Sequence, residues 1–476
     1  MPKIEEFQLH PLGWENDPEE ERFKISTLDY LSAMTYNNYT LFFKLDEAEK
    51  SKVEAVLKEG LERTLSQTRH LAGIIEKDED GSHSFVKRKD STVKFVVQHL
   101  DSHEDGFRSF AEIEKGHFLS PLLGDINVLS NAPMTYGEKP EADPDNSPAV
   151  ASYKANFIPG GLIFNMHSHH YSNDALGYGN FVRQLAENCY AIINKTDFPS
   201  FDPKCLDRSR FIAPIIPEES RVNAPPRADR HPDHKDSQAL IFHLPKSKAA
   251  ELKKAASPVD DDSWISTYDA FSALMWRVFS RIRAPIYNPD PASKPLWAEG
   301  VNITKRLSGP AMPARMQGNL FFAPMSTMST VPQLTSAEII SEAPLSKLAS
   351  YTRQMTNSVN DEMLAGVMQM LAPIRNKPDL SVRVNSFPPM TLVVTDWRDA
   401  DVCNADFGFA KPTAFRHLFG KELSENIVMV YAPRNGPAGD DEGIEVQFAF
   451  EKELTEQLIN DAEWSKYFEF RGVDSE

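Results

Sequence analysis

Residues 151–174 read "ASYKANFIPGGLIFNMHSHHYSND", and this stretch decides how the first half of the chain folds. A strand-like segment, 151–158, and the apolar run 162–166 flank Pro159-Gly160-Gly161, a triplet suited to a tight reversal and unsuited to the middle of a strand. The pattern predicts a strand, a turn and a returning strand. Directly behind them, "DALGYGNFVRQLAENCYAIIN" (174–194) sets Phe181, Leu185, Cys189 and Ile192 on one helical stripe. Asp174 stands at the start of that helix, where a carboxylate accepts hydrogen bonds from free backbone N–H groups. A strand leaving its sheet to feed a helix is an α/β layer, and at its exit stand His167, His169, His170 and Asp174.

Moving outward, "YTLFFKLD" (39–46) reads as another strand and runs into "EAEKSKVEAVLKEGLERTLSQT" (47–68). There Val53, Val56, Leu57 and Leu61 keep helix spacing. In "HLAGIIEKDEDGSHSFVKRKDSTVKFVVQHL" (70–100), two apolar runs flank the turn-rich "KDEDGS" and predict paired strands. Residues 214–237, rich in proline and charge and lacking periodicity, read as an exposed crossover. They divide the chain into a domain over 1–213, a linker over 214–237 and a second domain over 238–476. The second half brings helices at "STYDAFSALMWRVFSRIR" (266–283) and "SAEIISEAPLSKLASYTRQMTNSVNDEMLAGVMQML" (336–371). The strand "MTLVVTDW" (390–397) and a hairpin over 427–450 follow.

The chain has 476 residues, more than a single core of roughly 250 to 300 residues accommodates, so two cores are expected. With 69 acidic against 51 basic side chains and a formal charge of −18, the protein repels polyanions, which argues against nucleic acid and anionic membrane as partners. A phosphorylated small molecule needs only a few local cations and is not excluded. Three widely spaced cysteines, 189, 205 and 403, provide no disulfide framework or CxxC clip. The N-terminal segment has neither the apolar core of a signal peptide nor the composition of a transit peptide. No window of about 18 apolar residues appears. A soluble, cytoplasmic protein is the expectation.

Three readings of "HSHHYSND" (167–174) are open on the residues alone: a metal cluster, a catalytic base or a crowded loop. For metal, His167 and His169 share a strand face while His170 points away, and no HExxH, CxxC or second histidine cluster completes a set. A serine elbow of the GxSxG type is absent, and "GPAGDDEG" (436–443) carries acids where a phosphate loop needs N–H groups and a lysine. His170 with Asp174 four residues on fits a general base beside a carboxylate that orders its loop. Short motifs of this kind recur by chance, and the pair gains weight only in company.

That company lies downstream. "HHYSND" (169–174) together with "DFGFAKP" (406–412) resembles the paired HxxxD and DFGWG signatures of the BAHD superfamily of coenzyme A-dependent acyltransferases. Further segments resemble it in the same order: "STLDYL" (26–31), "LKEGLERTLSQTRHLAGII" (57–75), "YKANFIPGGLIFNMHSHH" (153–170), "STYDAFSALMWR" (266–277), "VNITKRLSGPAMP" (301–313) and "QGNLFF" (317–322). In "TDWRDADVCNADFG" (395–408), the nine-residue step from Trp397 to Asp406 matches that of the family. The fungal branch, with its trichothecene 3-O-acetyltransferase group, is the most similar. Two departures stand out: Ala175 follows the aspartate where the family has glycine, and Phe409-Ala410 replace Trp-Gly.

The resemblance implies an α/β fold of two chloramphenicol-acetyltransferase-like domains with mixed sheets flanked by helices, joined by a long crossover loop, with the active-site channel at their interface. It implies an acyl-CoA-dependent acyltransferase acting as a monomer. Acetyl-CoA is the expected co-substrate, and a hydroxylated or aminated small metabolite the expected acceptor, with no resident cofactor or metal. Within it, His170 is the expected general base, and Trp397, helped by Thr395, is the expected donor to the tetrahedral oxyanion. Asp174 is expected to pair with Arg306 across the domain interface. Asp406 and Gly408 are expected to shape the coenzyme A channel, with Lys411 and Ser272 as its contacts. Two alternatives share parts of this pattern: a condensation or cyclisation enzyme using carrier-bound acyl groups, favoured by the His169-His170 pair, and a non-catalytic metabolite binder.

Overall fold

The computed structural model describes residues 2–259 and 264–475. The strand pair that flanks Gly160, Ala151–Ile158 and Gly161–His169, forms as the sequence predicts, with a left-handed Gly160 (φ +74) in its turn. These strands are the middle of a six-stranded mixed sheet in the order Lys3–Leu9, Val93–His99, Ala151–Ile158, Gly161–His169, Tyr36–Lys44, Ala414–His417. Every residue of Ala151–Ile158 is buried, including the polar Ser152, Lys154 and Asn156 that alternate with its apolar residues. Helices Lys50–Gln67 and Ala175–Asn194 pack against each other on this sheet. Their crossing is close at Gly60, where an added Cβ would stand 2.5 Å from the Cys189 Sγ.

A second six-stranded mixed sheet runs Trp297–Glu299, Leu392–Asp396, Ile427–Tyr431, Ile444–Glu451, Ser237–Leu244, Glu469–Val473. Helices Lys246–Ala256, Thr267–Tyr287 and Leu345–Asn357 cover it, with Trp276, Trp297 and Trp464 in its core. The last strand of the first sheet, Ala414–His417, comes from the second half of the chain and pairs antiparallel with Tyr39–Phe42. The two sheets are therefore not separated cleanly at 214–237. A third apolar cluster, including Leu28, Phe211, Ile303, Leu320 and Leu371, joins segments of both halves.

The helix expected over 336–371 is broken into a π-helical turn, Glu338–Glu342, and two helices, Leu345–Asn357 and Asp361–Leu371. Pro344, which has no N–H to give, starts the second piece, and the Asn360 side chain caps the third by accepting from the Met363 N–H.

Candidate active site

His167 and His169 lie on one face of their strand and are fully buried. The His167 Nε2 accepts from the Asn131 N–H at 3.2 Å. In His169, Nε2–H donates to the Ala142 carbonyl at 2.8 Å, and Nδ1 accepts from the Tyr171 N–H at 3.2 Å. Burial pushes His167 down to about 3 and His169 down to about 4. Both rings are neutral, and both nitrogens of His169 are occupied, so these two histidines support the strand end. Among the described residues, no group of three or more His, Cys, Asp or Glu is placed to hold a metal ion.

His170 is different. Its backbone N–H donates to the Thr35 carbonyl at 2.9 Å, the residue is half-buried, and its Nδ1 is buried with no hydrogen-bond partner. Burial lowers its pKa, opposed by its own carbonyl, the Asn319 amide and the Asp29 charge. It is thus a neutral imidazole near pH 7, the form in which a general base works.

The loop it begins is clamped residue by residue. The Asn319 amide donates to the His170 carbonyl at 2.9 Å, and Arg208 donates to the carbonyls of Tyr171 at 3.2 Å and Ser172 at 2.6 Å. Asn173 donates to the Gln317 side chain at 3.0 Å and accepts from the Gly318 N–H at 2.8 Å. Asp174 accepts from the N–H groups of Leu176 and Gly177, both at 2.9 Å, and of Leu320 at 2.7 Å. Behind them, fully buried Asp29 receives Arg208 at 3.1 Å and the Asn319 N–H at 3.0 Å. Residues 317–320 of the second half and Arg208 of the first thus hold the loop from both sides.

The ion pair expected between Asp174 and Arg306 is not formed. Three backbone N–H groups occupy the Asp174 carboxylate, and Arg306, partly exposed, lies nearer Glu299. The guanidinium at the loop is Arg208, which no sequence pattern marked. Asp29 and Asn319 lie in "STLDYL" and "QGNLFF", and nothing in either segment marks their pairing. Ala175 does no harm: it is the first helical residue, it is not among the positive-φ residues, and it packs on the first core. The glycine this turn requires is Gly177, where an added Cβ would stand 2.9 Å from the Gly318 carbonyl oxygen.

Burial pushes Asp174 up to about 6 against those three N–H groups. A carboxyl raised in the folded state adds stability that is fully present below its unfolded value and lost as pH rises through about 6. Asp174→Asn presents an NH2 group to backbone donors and is expected to lose about 1–3 kcal/mol at pH 7. Denaturant titrations at pH 4 and 7 check both points: the advantage of wild type over the variant is larger at pH 4.

Trp397 follows the strand Leu392–Asp396 and is buried against Tyr39, Phe415 and His417, the last with ring centres 4.5 Å apart. Its indole N–H is buried with no partner. An unsatisfied donor of this kind costs about 1–3 kcal/mol unless something arrives to accept it. Thr395, two residues earlier, is partly exposed.

The DFG-like segment is elsewhere. Asp406 accepts from the Gly408 N–H at 2.8 Å, Gly408 is left-handed (φ +80), and Phe407 is buried on Phe43. An added Cβ on Gly408 would meet the Tyr190 Cα at 2.9 Å, so the segment docks near the far end of helix Ala175–Asn194. At 1.5 Å per residue that contact is about 24 Å from Asp174. Lys411 is exposed there, and Ser272 is sealed inside helix Thr267–Tyr287.

Two cavities of about 700 Å³ each are lined by sequence neighbours of Trp397 and His417, the first by Arg398 and the second by Phe419. The first is lined by Lys246, Lys253, Lys254, Ser257, Thr267 and Arg398, the residue after Trp397. Its lysines were not singled out in the sequence, where "KSKAAELKK" reads as an ordinary solvated helix. The second is lined by Asn127, Thr135, Tyr136, Lys139, Phe419 and Glu422, and Phe419 stacks parallel to His417 with ring centres 5.4 Å apart. His170 lines neither.

With this geometry in place, comparison with known proteins is direct. A family model described as the Transferase family matches residues 15–464. The chain is 54% identical over 476 residues to the acetyltransferase FGR3 of Gibberella zeae, covering 100% of this chain and 95% of that one. It is 25% identical over 471 residues to the trichothecene 3-O-acetyltransferase TRI101 of Fusarium sporotrichioides, covering 92% of this chain and 94% of that one. The crystal structure of F. graminearum TRI101 complexed with coenzyme A and deoxynivalenol matches with a TM-score of 0.76 and 20% identity, over 95% of this chain and 100% of that chain. This likeness is one of fold: two sheet-rich domains flanked by helices.

Proposed function

The chain belongs to the Transferase family and is an acyltransferase, and on that premise we propose that it moves an acetyl group from acetyl-CoA to a hydroxyl of a small secondary metabolite. His170 acts as general base, with no covalent enzyme intermediate. The observation that carries this reading is the neutral His170 on a loop clamped from both halves of the chain, together with the unpartnered Trp397 N–H at the end of strand Leu392–Asp396 of the second sheet. The His170 ring takes the proton of the acceptor hydroxyl as its oxygen attacks the thioester carbonyl. The Trp397 indole donates to the oxyanion that forms, and collapse expels the coenzyme A thiolate, which takes the proton back from His170.

The cysteines support a non-covalent path, since burial raises the pKa of Cys189 and Cys205 and pushes Cys403 up to about 12, keeping all three thiols protonated. The basic cavity at Lys246, Lys253 and Lys254 suits the phosphates of coenzyme A, with the thioester end reaching past Arg398 towards Trp397. The second cavity suits the acceptor, so the two substrates meet in an interdomain channel. On this reading the enzyme acts as a monomer.

Thiol release from acetyl-CoA in the presence of hydroxylated metabolites tests this reading. Release is expected with a subset of alcohols. The double variant Lys253→Glu, Lys254→Glu is expected to raise KM for acetyl-CoA about tenfold or more, equivalent to roughly 1.4 kcal/mol of binding, with kcat little changed. An unaltered KM would place the coenzyme elsewhere.

A further inference from the structure

His417 is a second buried histidine beside the site, and its surroundings fix what it does. It sits on the strand that the second half of the chain lends to the first sheet, opposite Tyr39. Its ring is edge-on to Trp397 at 4.5 Å and parallel to Phe419 at 5.4 Å, so it lies between the proposed oxyanion donor and the wall of the second cavity.

A chain of hydrogen bonds sets its tautomer. Gln447 donates its amide N–H to Asp474, which leaves the Gln447 Oε1 as an acceptor, and the Tyr431 hydroxyl donates to that oxygen at 2.9 Å. With its only proton committed, the Tyr431 hydroxyl can only accept from His417, whose Nδ1 stands 3.1 Å away. The His417 Nδ1 therefore carries the proton and Nε2 the lone pair. That Nε2 has no hydrogen-bond partner among the described residues, and it is not one of the sealed, unpartnered polar atoms. It is a fixed acceptor beside Phe419, which lines the second cavity. Burial keeps the ring well below the ordinary histidine pKa, so the lone pair persists across the physiological range.

We propose that the His417 Nε2 reads a second, non-reacting hydroxyl of the acceptor, so that the preferred acceptors carry at least two hydroxyls. The inference rests on the acyl-transfer reading above, with His170 at the reacting hydroxyl and His417 at the other. His417 is a specificity residue: it touches the acceptor and takes no proton from it. A site built to accept from a hydroxyl discriminates strongly against analogues that lack it, because its buried acceptor is then left unpaired.

The test compares 1-decalol with decalindiols that differ only in the position of the second hydroxyl, following thiol release from acetyl-CoA. For wild type, at least one diol is expected to exceed the monoalcohol in kcat/KM by about tenfold or more. In His417→Phe the ratio falls to near one. Tyr431→Phe keeps the imidazole but frees its tautomer, and lowers the ratio by a smaller factor. The ratio is read within each variant, so a general loss of folded protein cancels. Turnover of all these alcohols with no diol preference in wild type, or a preference that survives in both variants, overturns the role of His417 and leaves acyl transfer standing. Absence of any His170-dependent thiol release, water included as acceptor, overturns acyl transfer itself and this inference with it.

Discussion

His170→Ala is expected to lower kcat for acetyl transfer by about 10²- to 10⁴-fold, the range a positioned general base contributes. KM for acetyl-CoA should change little, because the lysines proposed to hold the coenzyme lie in a cavity that His170 does not line. The pH profile separates this effect from a loss of structure. Wild-type kcat/KM should rise with pH and level off below the pH at which an ordinary histidine deprotonates, since burial lowers the pKa of His170. Residual activity of the variant should lack that limb. Unchanged turnover in His170→Ala would sink the general-base assignment.

Arg208→Ala is expected to produce the largest loss of stability among single changes near the site, about 3–5 kcal/mol. Arg208 and Asp29 form a buried pair at 3.1 Å, and the same guanidinium serves the carbonyls of Tyr171 and Ser172. Removing it leaves a buried carboxylate and two carbonyls facing the void. Lysine keeps the charge but lacks the planar fork that reaches several acceptors at once, so Arg208→Lys should fall between wild type and alanine. Denaturant midpoints measure the loss, and thiol release at a temperature where the variant is folded measures how far the His170 loop has shifted. Arg306→Ala, which breaks none of these bonds, is the comparison. A larger effect at Arg306 than at Arg208 would reverse the assignment of the clamp.

Much of the scaffold was legible because periodicity and turn chemistry are local. The strands around Gly160, the helix that Asp174 caps and the final hairpin all stand where their patterns put them. His170 was separable from its neighbours because it alone keeps the four-residue spacing to Asp174 and the order relative to "TDW" and "DFGFAKP". The clamp was not legible, since Arg208 and Asp29 are 179 positions apart and neither belongs to a local pattern. The same holds for the basic cavity, whose lysines look like any solvated helix until the fold sets Arg398 and Thr267 beside them. The Asp174–Arg306 expectation failed because backbone N–H groups, which nearly every residue type carries and which therefore leave no sequence signal, occupy the carboxylate instead.

The strand Ala414–His417 also bears on how the protein is made. Until it emerges from the ribosome, the strand Tyr36–Lys44 has an open edge, at roughly 5–20 residues per second on the order of tens of seconds. Unpaired, apolar strand edges invite pairing with other chains. Synthesis of this protein therefore includes a period in which the first half waits, sticky and unfinished, for a piece of the second, and chaperone supply or translation speed should govern its yield more than the stability of the finished molecule does.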